Sequence, residues 1–241
     1  MGSKTTAEIL VEGLAVNGIE TLFCLPGVQN DDFFDALHKS GAPRPVHTRH
    51  EQGSAYMALG AALATGKPQA YCVVPGPGFL NTTAALCTAY AVNAPVLALV
   101  GQIPEAAIGK GFGLLHEIPD QLGIMERLTK SAARITGAAD AAVKITDAFR
   151  QLRNGCAKPV ALECAMTTWR DAAPFDRPLE KALREPVEID LDAIGAAARI
   201  LGAARRPMIV VGGGALEAGA AVREPAEMLQ APVISSRNGR G

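Results

Sequence analysis

Short apolar runs alternate with helical segments along most of the chain. The runs cover residues 21–25, 69–74, 94–100 and 159–163, and segments of helical periodicity lie between them. A strand that is apolar along its whole length has to be covered on both faces, which is typical of parallel sheets in α/β proteins. The sequence therefore predicts an α/β fold built on a doubly wound parallel sheet.

Glycines and polar residues stand where the predicted strands end. Pro26-Gly27 follows the first run, His50-Glu51 follows a short extended segment, and Pro75-Gly76-Pro77-Gly78 follows the next run. Gly101-Gln102 follows the run after that. Ligands of open α/β sheets bind beyond the carboxyl ends of the strands. We therefore expect the functional site at this edge of the sheet.

The domain organisation is read from the loss of periodicity near the middle of the chain. Residues 166–190 lack a regular pattern and contain several prolines among charged residues, which indicates a linker. Residues 1–165 form the predicted first domain. Residues 191–241 show only two strands and two helices, too few to enclose a doubly wound core. We interpret them as the truncated start of a second α/β domain.

Composition excludes several classes of partner. The chain has 241 residues, 49% hydrophobic residues and a formal net charge of -1, so it has no basic excess for a nucleic acid. No run reaches the roughly 18 apolar residues that a membrane-spanning helix needs. The five cysteines are scattered in apolar surroundings without a C-x-x-C spacing, which is typical of reduced, buried thiols. We expect a cytoplasmic protein with neither a nucleic-acid nor a membrane partner.

Glu51 begins a predicted helix that has very small side chains. A carboxylate at a helix start is favoured by the helix dipole and lies near unpaired backbone N–H groups. One interpretation is a plain helix cap, and another is a catalytic carboxylate in a small-residue pocket. A metal site with His47 and His50 is disfavoured, because the spacing matches no known zinc pattern and the two imidazoles would point apart. The sequence therefore predicts no metal ligands.

Two glycine-rich turns are candidate binding sites. The turn at residues 75–78 precedes a helix, so it either admits a polar or anionic ligand or simply reverses the chain tightly. The turn at residues 212–214 looks like a dinucleotide turn, but Glu217 stands where the third glycine should be. A nicotinamide dehydrogenase is disfavoured for that reason.

Taken together, these motifs resemble the thiamine diphosphate enzyme family, in its acetolactate-synthase-like branch. The resembling segments occur in the family's order over nearly the whole chain, and the most informative is Arg49-His50-Glu51 before a small-residue helix. They are residues 5–10, 18–23 with 25–27, 49–53 with 57–58, 76–78 with 81, 93–96 and 101–104.

The resemblance implies specific roles for residues of this chain. Residues 1–165 would be the pyrimidine-binding domain. Glu51 would be the catalytic glutamate that hydrogen-bonds the aminopyrimidine ring nitrogen and so promotes removal of the thiazolium C2 proton. The other residues implied at the pyrimidine end are Pro26, Gly27, Gly76 and Asn81, and those implied near the substrate are Gln102 and His116.

The resemblance also implies the cofactors, the reaction and the assembly. Thiamine diphosphate would act on a small 2-keto acid by decarboxylation and carboligation, as a lyase or transferase. Magnesium would be held by a Gly-Asp-Gly motif of another domain, since no Gly-Asp-Gly occurs here. FAD is allowed in the middle domain, and a homodimer or tetramer is expected.

One segment departs from the family pattern, and one alternative function stays open. Residues 112–117 read Phe-Gly-Leu-Leu-His-Glu where the synthases carry Phe-Gln-Glu, so acetolactate formation itself does not follow from the resemblance. The alternative is a non-catalytic cofactor-binding or regulatory module that lacks the diphosphate and magnesium site.

Overall fold

The computed structural model describes residues 2–176 and 178–240. The chain divides into two compact units, Met1–Glu185 and Pro186–Gly241. The first unit is built on a six-stranded sheet in which every neighbouring pair of strands is parallel. The predicted α/β fold with a parallel sheet is confirmed.

The elements of the first unit alternate along the chain. Its strands are β1 (Ser3–Thr5), β2 (Thr21–Leu25), β3 (Arg44–His47), β4 (Gln69–Val73), β5 (Val96–Gln102), β6 (Ser131–Ile135), β7 (Val160–Ala165) and β8 (Ala172–Pro174). Its α-helices are α1 (Thr6–Val16), α2 (Asp31–Ser40), α3 (Glu51–Thr65), α4 (Pro77–Ala91), α5 (Gln121–Leu128) and α6 (Ala138–Arg153). The order of strands in the main sheet is β3-β2-β4-β5-β7-β6.

Helices cover both faces of this sheet. Along β5, Leu97 and Leu99 pack with residues of α1, α2 and α6, whereas Val96 and Val100 pack with residues of α3, α4 and α5. All seven residues of β5 are buried. Alternate side chains of a strand point to opposite faces, so a strand covered on both faces has to be apolar at every position. This explains the continuous apolar runs.

The first unit ends later than the sequence predicts. β8 pairs with β1 in an antiparallel ribbon, and Phe175 and Leu179 pack against the core of this unit. The backbone N–H of Ala182 donates to Asn17 Oδ1 at 3.0 Å. Much of the segment predicted as a linker is thus extended chain attached to the first unit. This segment lacks helical or strand periodicity because only a few of its side chains are apolar and pack against the core.

The second unit repeats the α/β alternation on a small scale. Its elements are α7 (Leu191–Gly202), β9 (Ile209–Val211), α8 (Gly219–Leu229) and β10 (Val233–Ser235). The two strands pair in parallel. Among the helices of the described residues, none is long and apolar enough to cross a membrane.

Burial decides which thiols of this chain can react. Cys24, Cys72 and Cys164 are buried as predicted, whereas Cys87 and Cys156 are exposed, so the prediction of buried thiols is wrong for these two. Burial raises the pKa of Cys24 to about 11, and it also raises the pKa of Cys72 and of Cys164 above the ordinary thiol value. The thiolate is the reactive form, so a raised pKa adds to the protection that burial provides.

We expect the native chain to react in two stages with an aromatic disulfide reagent at pH 8. The two exposed thiols should react at once, and the three buried thiols should react only after denaturant is added. The released chromophore counts the thiols directly. A third thiol that reacts rapidly in the native chain would contradict the buried arrangement.

Candidate functional site

Glu51 is the first residue of α3, as the sequence predicts. The chain leaves β3 at His47, and the His50 side chain caps the helix by accepting the Gln52 N–H at Nδ1, at 3.2 Å. Thr48 Oγ1 donates to the carbonyl oxygen of His50 at 2.9 Å. The cap is therefore supplied by His50, and the Glu51 side chain does not take part in it.

The turn after β4 brings a second helix to Glu51. Gly76 precedes α4 with φ +56° and ψ -118°, a conformation that favours glycine. Pro77 is the first residue of α4, and Asn81 lies about one turn further on. Helices α3 and α4 pack against each other. Each begins shortly after a strand of the parallel sheet, so the starts of both helices lie at the carboxyl edge of the sheet.

The Glu51 carboxylate is held on one side only. Asn81 Nδ2 donates to Glu51 Oε2 at 3.0 Å. No donor in the described part of the chain bonds Oε1 of this half-buried residue. A Cβ added at Gly78 would lie 3.5 Å from Oε1 and 2.5 Å from a methyl group of Val74. Glycine at position 78 therefore keeps the space beside Oε1 open.

The turn after β2 lies against the same group. A Cβ added at Gly27 would be 2.5 Å from Val74 Cγ1, so the Pro26-Gly27 turn approaches the segment that leads into Gly76. The structure thus brings together Gly27, Gly76, Asn81 and Glu51, which the sequence assigned to one site. Pro26, which precedes Gly27 in the sequence, is exposed.

The loop before α5 reaches the Gly76 turn through its backbone. The carbonyl oxygen of His116 occupies the space where a side chain at Gly76 would stand. His116 has φ +69°, and its Nδ1 is buried without a hydrogen-bond partner among the described residues. The Glu117 carboxylate closes the loop by accepting the N–H groups of Gly111 and Leu114 at 3.0 and 2.8 Å.

Gln102, which the resemblance implies near the substrate, is buried in the protein. Its residue surface is 3% exposed. Nε2 donates to Glu163 Oε2 at 3.2 Å, and Oε1 accepts the N–H of Ile103 at 2.8 Å. Both ends of this amide are engaged inside the protein, so the structure does not bring the side chain to the Glu51 carboxylate.

Sequence reasoning missed a buried polar group beneath the site. Glu163 on β7 is 0% exposed and forms an ion pair with Arg134 at 2.6 Å. Gln121 lies between this carboxylate and the Gly76 turn. A signal was present in the sequence, because Glu163 is the one charged residue within the apolar strand β7. Buried charges are rare unless they are paired.

The arrangement suits one kind of chemistry. A carboxylate with one oxygen held by an amide and the other without a donor among the described residues can share a proton with a ring nitrogen. The glycines at positions 27, 76 and 78 leave room for a flat group next to it. The site thus combines a carboxylate with a cradle of small residues.

Comparisons with known proteins identify relatives of this chain. The family model for thiamine pyrophosphate enzymes, N-terminal TPP binding domain, matches residues 4–124, and the model for their central domain matches residues 194–241. The solved structure of the thiamine diphosphate-dependent 4-hydroxybenzoylformate decarboxylase of Rhodococcus jostii RHA1 superposes with a TM-score of 0.86 at 25% identity. That superposition covers 97% of this chain and 44% of the other.

Two curated relatives align with nearly the whole chain. The probable 2-ketoarginine decarboxylase AruI of Pseudomonas aeruginosa is 36% identical over 98% of this chain and 42% of its own length. Acetolactate synthase isozyme 1 large subunit of Escherichia coli is 32% identical over 95% of this chain and 40% of its own length. The chain thus spans about two fifths of these relatives.

Proposed function

The chain belongs to the thiamine pyrophosphate enzyme family, and from this membership we propose that it is the cofactor-activating part of an enzyme acting on 2-keto acids. The observation that carries the proposal is the Glu51 carboxylate, held by Asn81 at Oε2 and without a donor at Oε1 among the described residues. The second unit would be the beginning of the central domain, as the match over residues 194–241 supports.

The residues at the site fit the pyrimidine end of the cofactor. Glu51 would hydrogen-bond a ring nitrogen, and Pro26, Gly27 and Gly76 would line the ring beside Asn81. Gly78 supports the fit, because a side chain at this position would contact Oε1 at 3.5 Å and collide with Val74 at 2.5 Å. When bound, thiamine pyrophosphate supplies a carbon nucleophile and an electron sink for the decarboxylation of a 2-keto acid.

Glu51 would perform the proton transfer on the protein side. The amide of Asn81 donates to Oε2 and so orients the carboxylate. Oε1 is then the oxygen that can share a proton with the ring nitrogen. His116 stays the candidate on the substrate side, because its loop touches the Gly76 turn. Gln102 would need a different side-chain position to reach a substrate.

The substrate class follows from the relatives' names. One relative is described as a probable 2-ketoarginine decarboxylase, and the solved neighbour is described as a 4-hydroxybenzoylformate decarboxylase. Both names denote decarboxylation of a 2-keto acid that has a large side chain. We propose the same class of substrate for this protein, with carboligation as in the acetolactate synthases as a further reaction.

The remaining cofactor contacts and the assembly belong to the proposal as well. Magnesium and the diphosphate group would be held outside the residues described above, and the site would be completed by a second copy in a homodimer or tetramer. Exposed apolar side chains on α3 and α4 support such a contact; Tyr56, Met57 and Leu80 are 41%, 43% and 41% exposed. FAD in the central domain and a cytoplasmic location stay predictions.

The test is carbon dioxide release by the full-length protein with thiamine pyrophosphate and magnesium. The panel would contain pyruvate, a guanidino 2-keto acid and an aryl 2-keto acid. We expect release from at least one of them, and we expect it to stop when thiamine pyrophosphate is omitted. Cofactor binding without turnover of any 2-keto acid would instead favour a non-catalytic module.

A further inference from the structure

The side chain of Gln121 lies buried beneath the turn that precedes α4. Its Oε1 accepts the N–H of Gly76 at 2.8 Å. Its Nε2 donates to the carbonyl oxygen of Gly101 at 2.9 Å and to Glu163 Oε2 at 2.9 Å. Only 2% of this residue is exposed. Water therefore has little access to this side chain and cannot readily replace these hydrogen bonds.

The partners of the Gln121 amide determine which way it points. A backbone N–H can only donate, and a backbone carbonyl or a carboxylate can only accept. Turning the amide over would place its NH₂ group against the N–H of Gly76 and its oxygen against two acceptors. A single orientation satisfies all three contacts, so the oxygen of Gln121 is committed to Gly76.

Glu163 holds this orientation from below. Its Oε1 accepts from Arg134 Nε at 2.6 Å, and its Oε2 accepts from the amides of Gln121 and Gln102. A fully buried carboxylate is tolerated only when it is paired and hydrogen-bonded. The Glu163 carboxylate therefore needs the hydrogen bond from the NH₂ group of Gln121. This bond orients the side-chain oxygen of Gln121 toward the Gly76 turn.

Gly76 is the point where this buried network meets the Glu51 site. It is the capping residue of α4, and no side chain in the described part of the chain supplies a cap there. The first turns of α4 carry Gly78, which leaves the space beside Glu51 Oε1, and Asn81, which bonds Oε2. A displacement of the Gly76 turn would therefore move both groups that surround the Glu51 carboxylate.

We propose that Gln121 is a positioning residue that fixes the Gly76 turn and thereby the place of Asn81 and Gly78 relative to Glu51. Glu163 orients Gln121 for this task. The consequence for catalysis rests on the proposed function of Glu51. The hydrogen-bonded link is a property of the chain and can be measured without a cofactor.

The first experiment uses the cofactor-free chain with the substitution Gln121→Met. Methionine keeps the length and apolar body of the side chain but removes both hydrogen-bonding groups. The N–H of Gly76 then lacks its acceptor, and we expect its hydrogen exchange to become faster by about tenfold or more. Exchange measured by ¹⁵N NMR resolves this amide, and the side-chain amide signal of Asn81 should shift with it.

A matched control distinguishes a local effect on the Gly76 turn from a general loosening of the first unit. Tyr71→Phe removes a different buried hydrogen bond to α4, the 3.0 Å contact from Tyr71 to Thr82, and leaves the acceptor of Gly76 in place. Exchange at Gly76 should be unchanged in this control. Equal acceleration in both variants would overturn the proposal.

A measurement on the unaltered chain covers the case in which Gln121→Met does not fold. A scalar coupling across the hydrogen bond should join the ¹⁵N nucleus of Gly76 to the side-chain carbonyl carbon of Gln121. Its detection would support the link even without the variant. Its absence in a well-resolved spectrum would overturn the link.

The full-length enzyme supplies the catalytic readout. We expect Gln121→Met to slow proton exchange at the cofactor C2 by about tenfold to a hundredfold per folded molecule, because the carboxylate is misplaced. A merely structural role would lower the folded fraction and leave the rate per folded molecule unchanged, which would contradict positioning. An unchanged rate in Glu51→Gln would instead remove the proposed function, and the exchange result at Gly76 would still stand.

Discussion

Replacing Glu51 by glutamine is expected to slow proton exchange at C2 of bound thiamine pyrophosphate by about 10²–10⁴-fold, the usual contribution of a positioned acid or base. Glutamine has nearly the shape of glutamate, and its oxygen can still accept the hydrogen bond from Asn81. It cannot share a proton with a ring nitrogen, because an amide does not titrate in this range. The measurement is deuterium exchange at C2, quenched with acid and followed by NMR in the full-length protein.

The control for this substitution is Glu8→Gln. Glu8 is also a first-turn glutamate, in the capping box of α1. We expect a small loss of stability from the weakened capping box and no change in the exchange rate per folded molecule. If Glu51→Gln exchanges as fast as the unaltered protein, Glu51 does not have the proposed role.

Replacing Gly76 by alanine is expected to destabilise the first unit by about 2–5 kcal/mol, through a strained backbone and an overpacked contact. The residue has φ +56°, which alanine rarely adopts. The new Cβ would also collide with the carbonyl oxygen of His116, a backbone atom that cannot rotate away. Urea unfolding followed by the fluorescence of Trp169 measures the effect, since this buried residue is the single tryptophan of the chain.

Gly66→Ala is the control for a left-handed glycine without a collision. Gly66 has φ +65° and ψ +8°, and among the described residues nothing lies within 4 Å of a Cβ added there. Its replacement should cost only the left-handed backbone term, about 1–2 kcal/mol. Gly76→Ala should cost more, because it adds the collision with His116 and a ψ of -118° that is less favourable for alanine. Equal losses in the two variants would contradict both additional costs.

Part of the site could be predicted from sequence because it depends on short-range features. The stretch from His50 to Gly53 contains a cap residue, a carboxylate and the start of a small-residue helix, and the structure confirms Glu51 as the first residue of α3. The ligand edge followed from the positions at which the apolar runs end. Parallel strands bring those ends together whatever the lengths of the connections between them.

Other contacts of the site could not be predicted, because they join residues that are distant in the sequence. Gln102 was implied near the substrate, and nothing in the sequence indicated that its amide bonds a carboxylate 61 residues away. Gln121 carried no signal of its own in the sequence. Its role as the acceptor for Gly76, 45 residues earlier, depends on how β5, β7 and α5 pack.

The sequence by itself determined the α/β alternation, the covered parallel sheet and the carboxylate at the head of α3, since periodicity and capping act over a few residues. The tertiary structure alone decided that β1 pairs with β8 and that Asn81 bonds one oxygen of Glu51. It also decided that Glu163 lies beneath the turn at Gly76. Hydrogen bonds between distant segments depend on positions of about 1 Å accuracy, which only the packed core supplies.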